Sequence, residues 1–472
     1  MFGFTPAPGA GSITKQLYDY LRNQIENGLL APGLQLPPTR RAAQELGIAR
    51  NIVIEVYERL TAEGYLCTQT GSGTFIAEDV QNEPVRLTAQ EAAAATAAIQ
   101  APVIHEIDFD PGAPDLRHFP RRLWSKYVRE TMNYEMDNIF DYGDCRGNNT
   151  LREAIARYVY RAKGIRCSPD DILITSGTSN SLLLLASSFS GQFQTVYIED
   201  PTIGFTGDIF GRLNYDIHPV SVDREGMKVN HIPYAAPGGF IVLTPSHQFP
   251  TGSVLSLQRR QEAVELAEKA GHYIVEDDYD SEFRHKGTPV PPLQTLSPSR
   301  VIYAGTFSKT LSPALRIGFL IMPPAIMNQV LQTKYDMNLA SSGLTQSALA
   351  RFMNDGHFDR HIHKMKALYR KKRIFLEKKV RHLFKDEARI LGDEAGMHVQ
   401  LAFPPEGYGD VDWSEMGTQG VRIDTFEDYT RWKGTHPGRL ILGYGNLTIE
   451  EIDEGLRRLH QFTKSVKLSK RG

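Results

Sequence analysis

Cysteine is scarce in this chain. Among 472 residues there are three, Cys67, Cys145 and Cys167. Their spacing fits no metal-ligand pattern, and an odd number cannot pair off completely. A disulfide scaffold and a cysteine metal site are thereby excluded, no metal is expected, and the usage suits a reducing cytosol. The opening MFGFTPAPGAGS has no positively charged stretch ahead of an apolar one, so it does not read as a signal peptide. No apolar run is long enough to cross a bilayer, which excludes a helical membrane protein. A strong overall charge is missing as well, the formal net charge being −2. Composition is otherwise ordinary for a globular protein, so large-scale disorder is not expected, and the length predicts two or three domains with ample core.

What is present begins with helical periodicity. Ile13, Leu17, Leu21 and Ile25 recur four apart and predict a helix over 13–28, ended by Gly28. Leu30-Ala31-Pro32-Gly33-Leu34-Gln35-Leu36-Pro37-Pro38 is barred from helix by its prolines. Thr39 then reads as the N-cap of a short second helix over 40–46. Gly47-Ile48-Ala49 is a tight turn, and Arg50 opens a third helix whose inner face is Ile52, Val53, Val56, Tyr57 and Leu60. Gly64 stops it. Two strand-like runs between Tyr65 and Ala77 flank Gly71-Ser72-Gly73, a hairpin signal.

Three helices with a glycine turn between the last two, followed by a hairpin, describe a winged helix-turn-helix over residues 12–79. Its third helix would enter the major groove of double-stranded DNA with Arg50 at its start. Thr39, Arg40 and Arg41 would lie near the phosphate backbone, and the Gly71–Gly73 tip near the minor groove. Charge argues the other way: residues 12–79 hold six Lys/Arg against eight Asp/Glu. Non-specific affinity for DNA should therefore be weak. The wording LAPGLQLPPTRRAAQELGIARNIVIEVYERLTAEGYLCTQTGSGTFI resembles the N-terminal domain of GntR-type transcription regulators. Thr39 stands where that family usually has serine, and Ala42 where it usually has leucine.

Residues 80–105 are alanine-rich, with few bulky apolar residues and no helical stripe, and read as a linker. From 106 to 466 the pattern is α/β. Strands are expected at 172–175, 196–201, 240–243 and 273–279 and at the start of 301–309, with helices over 149–163 and 256–270. Polar groups cluster at the carboxyl ends of these strands, where open α/β sheets place their sites. Ser176, Gly177 and Thr178 open a helix that can receive a phosphate. Asp277 and Tyr279 end one strand. Val301 to Lys309 is a buried strand running into hydroxyl residues and a lysine, and Arg316 follows seven residues later.

A pyridoxal 5'-phosphate site needs an amine, a carboxylate for the ring nitrogen, a donor for the ring oxygen and a phosphate cup. Lys309 is the candidate Schiff-base lysine, Asp277 the carboxylate and Tyr279 the ring-oxygen partner. Ser176, Gly177, Thr178, Thr306 and Arg316 can form the cup, and Phe205 is the candidate stacking ring. TPSHQFPTG, EDDYDSEFR and GTFSKTLSPALRIG resemble fold-type I aminotransferases, with their large and small subdomains. The whole chain resembles the MocR/GabR subfamily of GntR regulators. That resemblance implies a cytoplasmic, PLP-dependent transcriptional regulator that binds operator DNA and senses PLP or a small amino compound. It also implies a head-to-tail homodimer, with Tyr142 reaching the partner's phosphate and Arg439 meeting an effector carboxylate. Two departures stand out. Phe249 replaces the asparagine usual before Pro-Thr-Gly, and Ile441 stands where aminotransferases more often carry their carboxylate arginine. The alternative is a working aminotransferase with an N-terminal accessory module; the departures argue for little or no turnover.

Overall fold

The computed structural model describes residues 3–6, 11–69, 71–79, 106–134, 137–234, 238–287, 290–337 and 341–469. The expected linker over 80–105 lies outside the described residues. The chain divides into two compact units, Met1–Val103 and Ile104–Gly472.

In the first unit, helices α1 (Ile13–Glu26), α2 (Thr39–Leu46) and α3 (Arg50–Ala62) precede strands β1 (Leu66–Gln69) and β2 (Gly73–Ile76). Leu17, Leu21, Ile25, Val53, Val56 and Leu60 form one core with Leu66 and Ile76. Ile13, at the helix start, lies outside it and is exposed. Ser12 caps α1 by accepting from the Lys15 amide at 3.3 Å. The expected Thr39 cap is corrected: Thr39 is already helical, the cap position is Pro38, and no side chain caps α2. Two consecutive prolines set the entry, and Thr39 Oγ1 accepts instead from Arg50 Nε at 3.4 Å. The wing is an antiparallel hairpin in the register Leu66↔Ile76 to Gln69↔Gly73. Its tip needs glycine, since Gly71 and Gly73 hold φ of +83° and +119°.

The second unit begins with β3 (Ile107–Asp108) and reaches β4 (Ile172–Thr175) through helices Arg121–Tyr134 and Asn149–Lys163. There follow β5 (Thr195–Asp200), β6 (Asp216–Asp223), β7 (Gly226–Met227), β8 (Phe240–Leu243), β9 (Tyr273–Asp278), β10 (Val301–Thr306) and β11 (Gly318–Ile321). They form an eight-stranded sheet in the order β4-β11-β10-β9-β8-β5-β6-β7. Strands β6, β5, β8, β9 and β10 are parallel, and β11 runs antiparallel between β10 and β4. The central strands read as continuous apolar runs because helices cover both faces. Alternate residues accordingly enter different cores: Ile172, Ile174 and Tyr303 on one side, Leu173, Ile302 and Ala304 on the other.

There follow β12 (Arg389–Leu391), β13 (His398–Ala402), β14 (Val421–Arg422), β15 (Asp424–Thr425) and β16 (Arg439–Gly443), four of which form a smaller antiparallel sheet. Its order is β12-β13-β16-β15, while β14 pairs in parallel with β3. Helices His357–Phe384 and Ile449–Ser469 supply much of its core, around Tyr369, Leu376, Leu456 and Leu459. The first strand of the unit thus belongs with the last subdomain. No described helix is long and apolar enough to cross a membrane.

Candidate functional site

Three of the first unit's arginines are held by acids close by in the chain. Arg22, Arg41 and Arg59 are engaged by Glu26, Glu45 and Glu63, each one helical turn away. Arg40 and Arg50 are exposed and form no ion pair with a described residue. Both lie where α2 ends its approach to α3, beside Thr39. Although acidic residues outnumber basic ones over this unit, the α2–α3 entrance therefore carries unpaired positive charge. Gly71 and Gly73 are exposed at the wing tip. Each of these features suits contact with a phosphate backbone and a groove.

In the second unit the carboxyl ends of β4, β5, β8, β9 and β10 open into a cavity of about 720 Å³. Lys309 lies just past β10. Its Nζ donates to the Gly112 carbonyl, and a Cβ on Gly112 would lie 3.0 Å from that nitrogen. A side chain there would crowd the amine. Burial lowers the Lys309 pKa, opposed by Asp110, Asp280 and Asp277. A larger neutral fraction is what a lysine nucleophile requires.

Asp277, at the end of β9, is buried and accepts from Thr178 Oγ1 at 3.1 Å. Burial pushes its pKa up to about 7, with the nearby Asp278, Glu199 and Asp280 adding to the rise against the Thr178 hydrogen bond. Glu199 is likewise driven up to about 7 by burial, although Thr244 donates to it through both its amide and its hydroxyl. Such a carboxylate cluster is short of positive charge. A protonated ring nitrogen beside Asp277 would supply it.

The helix Thr178–Ser188 starts at the cavity wall, with Gly177 as its N-cap at φ +117°. Its first amides have no intrahelical acceptor and attract an anion. Thr306 and Ser308 bring hydroxyls to the same wall, linked at 3.0 Å. Arg316 lines the cavity; its amide donates to the Pro313 carbonyl at 3.2 Å, while its guanidinium makes no hydrogen bond to a described residue. Its backbone holds a left-handed conformation, φ 50° and ψ 48°, unusual for a residue other than glycine. These residues fit pyridoxal phosphate: a buried amine, an unneutralised buried carboxylate, a tyrosine, and hydroxyls with an arginine at a helix start.

Of the residues expected from sequence, Gly177, Thr178, Phe205, Asp277, Tyr279, Thr306, Lys309 and Arg316 converge on the cavity. Three lie apart. Ser176 turns its Oγ toward Ser341, at 3.5 Å. Tyr142 is 85% exposed on a loop in a separate depression. Arg439 opens β16 opposite Ala402 and places its guanidinium over the Phe426 ring, 5.7 Å from the centroid. Sequence reasoning missed Glu199, Thr244, Tyr429, Asn446 and Arg117, all of which line the cavity. Only Glu199 had a local signal, as a carboxylate ending a strand. Tyr429 and Asn446 arrive from the smaller subdomain. Phe249 lines the cavity too, edge-on to Tyr429 at 4.8 Å.

Comparison with known proteins places these features. The family of bacterial regulatory proteins, gntR family, matches residues 13–76, and aminotransferase class I and II matches residues 107–459. The chain is 33% identical to the probable rhizopine catabolism regulatory protein MocR of Rhizobium meliloti, over 94% of this chain and 92% of that one. It is 29% identical to the pyridoxine biosynthesis transcriptional regulator PdxR of Corynebacterium glutamicum, over 92% of each. Among solved structures, an archaeal alanine:glyoxylate aminotransferase superposes with a TM-score of 0.70 at 26% identity, over 80% of this chain and 94% of that one.

Proposed function

The chain belongs to the MocR-type GntR regulators, transcriptional regulators in which a DNA-binding module precedes an aminotransferase-like, pyridoxal phosphate-binding domain, and from that premise we propose how its parts divide the work. Residues 12–79 form the operator-binding domain, 80–105 the linker and 106–466 the effector domain. The observation that carries this reading is the convergence of Lys309, Asp277 and Tyr279 on one cavity, in a chain whose Arg40 and Arg50 are exposed and form no ion pair with a described residue.

Bound pyridoxal phosphate supplies a carbonyl for covalent capture of amines. This chain's residues do the rest. Lys309, with its pKa lowered by burial, is the amine that would hold the cofactor. Asp277 would keep a proton on the ring nitrogen, Tyr279 would donate to the ring oxygen, and Phe205 would pack on the ring. Gly177, Thr178, Thr306 and Arg316 would hold the phosphate. The effector is an amino compound or the cofactor itself. A carboxylate on it would meet Arg117, which lines the cavity and is paired with Asp115, before Arg439, which does not line it. The protein works in the cytoplasm as a head-to-tail homodimer. Arg50 reads base edges, and Thr39, Arg40, Arg41, Gly71 and Gly73 contact the backbone and groove.

Two measurements on the purified full chain test this reading. It should be yellow, with borohydride fixing the cofactor to Lys309. It should also retard its own upstream DNA in a gel-shift while giving negligible turnover across a panel of amino donors. Fast transamination without DNA binding would favour the aminotransferase alternative.

A further inference from the structure

Behind Tyr279 lies a buried pair that the cofactor assignment does not use. His247 and Asp280 are 2% and 1% exposed. His247 Nδ1 lies 3.0 Å from both carboxylate oxygens of Asp280. The Tyr279 hydroxyl sits over the same histidine, donating to its carbonyl at 2.9 Å and lying 3.2 Å from its Nδ1. The pair is tightly enclosed: a Cβ on Gly396 would lie 2.1 Å from the His247 ring and 2.4 Å from Asp280 Oδ2.

Proton counting fixes the tautomer. His247 Nε2 is buried without a hydrogen-bond partner. A bare ring nitrogen tolerates that better than an N–H group, so the proton belongs on Nδ1, shared with Asp280. With Nδ1 committed as a donor, the single Tyr279 proton loses one of two acceptors in the chain. Only the His247 carbonyl then competes with a cofactor oxygen for it. Were Asp280 unable to hold that tautomer, Nδ1 would become an acceptor 3.2 Å from the tyrosine oxygen and draw the proton inward.

We propose that the Asp280–His247 pair is a positioning device that keeps the Tyr279 proton available to the ring oxygen of bound pyridoxal phosphate. The inference rests on the cofactor reading above. It gives Asp280 and His247 a function where Phe249 has replaced a hydrogen-bonding side chain: Tyr279 is left to serve the ring oxygen, and its aim matters more. The charged groups around the tyrosine are Asp277 and Asp278 on β9, Glu199 on β5 and Asp280 itself. His398 on β13 packs on His247 at a ring separation of 4.9 Å. Glu282 acts on Asp280, and Lys309 faces Asp110 and Asp277. All but Asp280 are the same in the variants below; its charge also acts on Lys309 directly, and loss of that charge lowers the midpoint, opposite in sign to the rise expected through the tyrosine, whereas His247→Gln leaves the charge in place.

The test is a pH titration of the yellow band of the holoprotein, for wild type, Tyr279→Phe, Asp280→Asn and the double variant. A lost donor leaves more negative charge on the ring oxygen, and the Schiff-base proton is then held more tightly. Tyr279→Phe should raise the midpoint by roughly half a unit to one unit for a hydrogen bond of ordinary strength, and Asp280→Asn by less, because losing its charge also lowers the midpoint directly. The double variant should move no further than Tyr279→Phe alone, because Asp280 acts through the tyrosine. His247→Gln is a second probe of the pair and should shift the midpoint in the same direction should Asp280→Asn not fold. Additive rises, or an unmoved midpoint in His247→Gln beside a shifted Tyr279→Phe, overturn the inference. Stoichiometric metal in the purified protein also overturns it, assigning His247, Asp280 and His398 to a metal instead. A wild-type chain that forms no yellow band overturns the cofactor reading rather than the inference alone.

Discussion

Replacing Lys163 by methionine should destabilise the second unit and do so in a pH-dependent way. Lys163 closes the Asn149–Lys163 helix and sends its ammonium under β9. There it lies 3.0 Å from Asp278 and 2.8 Å from Glu282. Asp278 also accepts from Tyr303 at 2.7 Å and from Ser281 at 2.7 Å, and Glu282 accepts from Tyr158 at 2.5 Å. Burial works to raise the Asp278 pKa, but the Lys163 charge and these hydrogen bonds outweigh it and hold the carboxyl below its ordinary value. The wild-type arrangement therefore contributes stability that is present above the unfolded carboxylate pKa and is lost as pH falls through the lower folded value. Lys163→Met leaves two largely buried carboxylates facing each other without a cation. Breaking a buried pair from one side costs about 3–5 kcal/mol. In the variant the folded Asp278 pKa rises, since the Lys163 charge that lowered it is gone, so the deficit is full at neutral pH and shrinks as acid protonates that carboxylate. Chemical denaturation of wild type and variant at neutral and mildly acidic pH measures it. A deficit below about 1 kcal/mol, or one that grows on acidification, would refute the account of a buried ion network beneath the cofactor carboxylate.

Three further outcomes are expected. Lys309→Ala should abolish covalent retention of the cofactor and the yellow band while unfolding at nearly the wild-type temperature, as absorbance and thermal scans would show. Arg50→Ala should weaken specific operator binding by about 1–3 kcal/mol if the arginine grips a guanine, with cofactor absorbance unchanged; an unaltered gel-shift moves the recognition role to Arg40. Gly396→Ala should destabilise by about 1–3 kcal/mol, through both overpacking and its left-handed backbone. The glycine sits at φ +77° against the His247–Asp280 pair, and a thermal scan with cofactor absorbance would register the loss.

Much of this protein follows from local sequence. Residues 172–175 and 240–243 are strands with the bounds their apolar runs indicate, and 149–163 is the helix its pattern indicates. In each case a continuous apolar run or a 3.6-residue stripe meets a glycine, proline or capping residue, and no distant contact is needed to decide the outcome. The placement of Lys309, Asp277, Tyr279 and Thr178 at one cavity was also legible, because parallel strands deliver their carboxyl ends to one edge. Tertiary structure decided what depends on contacts between distant segments. Thr39 ceased to be a cap because two prolines set the helix entry and Arg50 took its hydroxyl. Arg439 was drawn onto Phe426, and Ser176 turned toward Ser341. Tyr429 and Asn446 joined the cavity wall from a separate sheet, and β3 paired with β14 more than three hundred residues away in sequence. Strand periodicity tells which face a side chain takes; only the packed subdomains determine what stands opposite it.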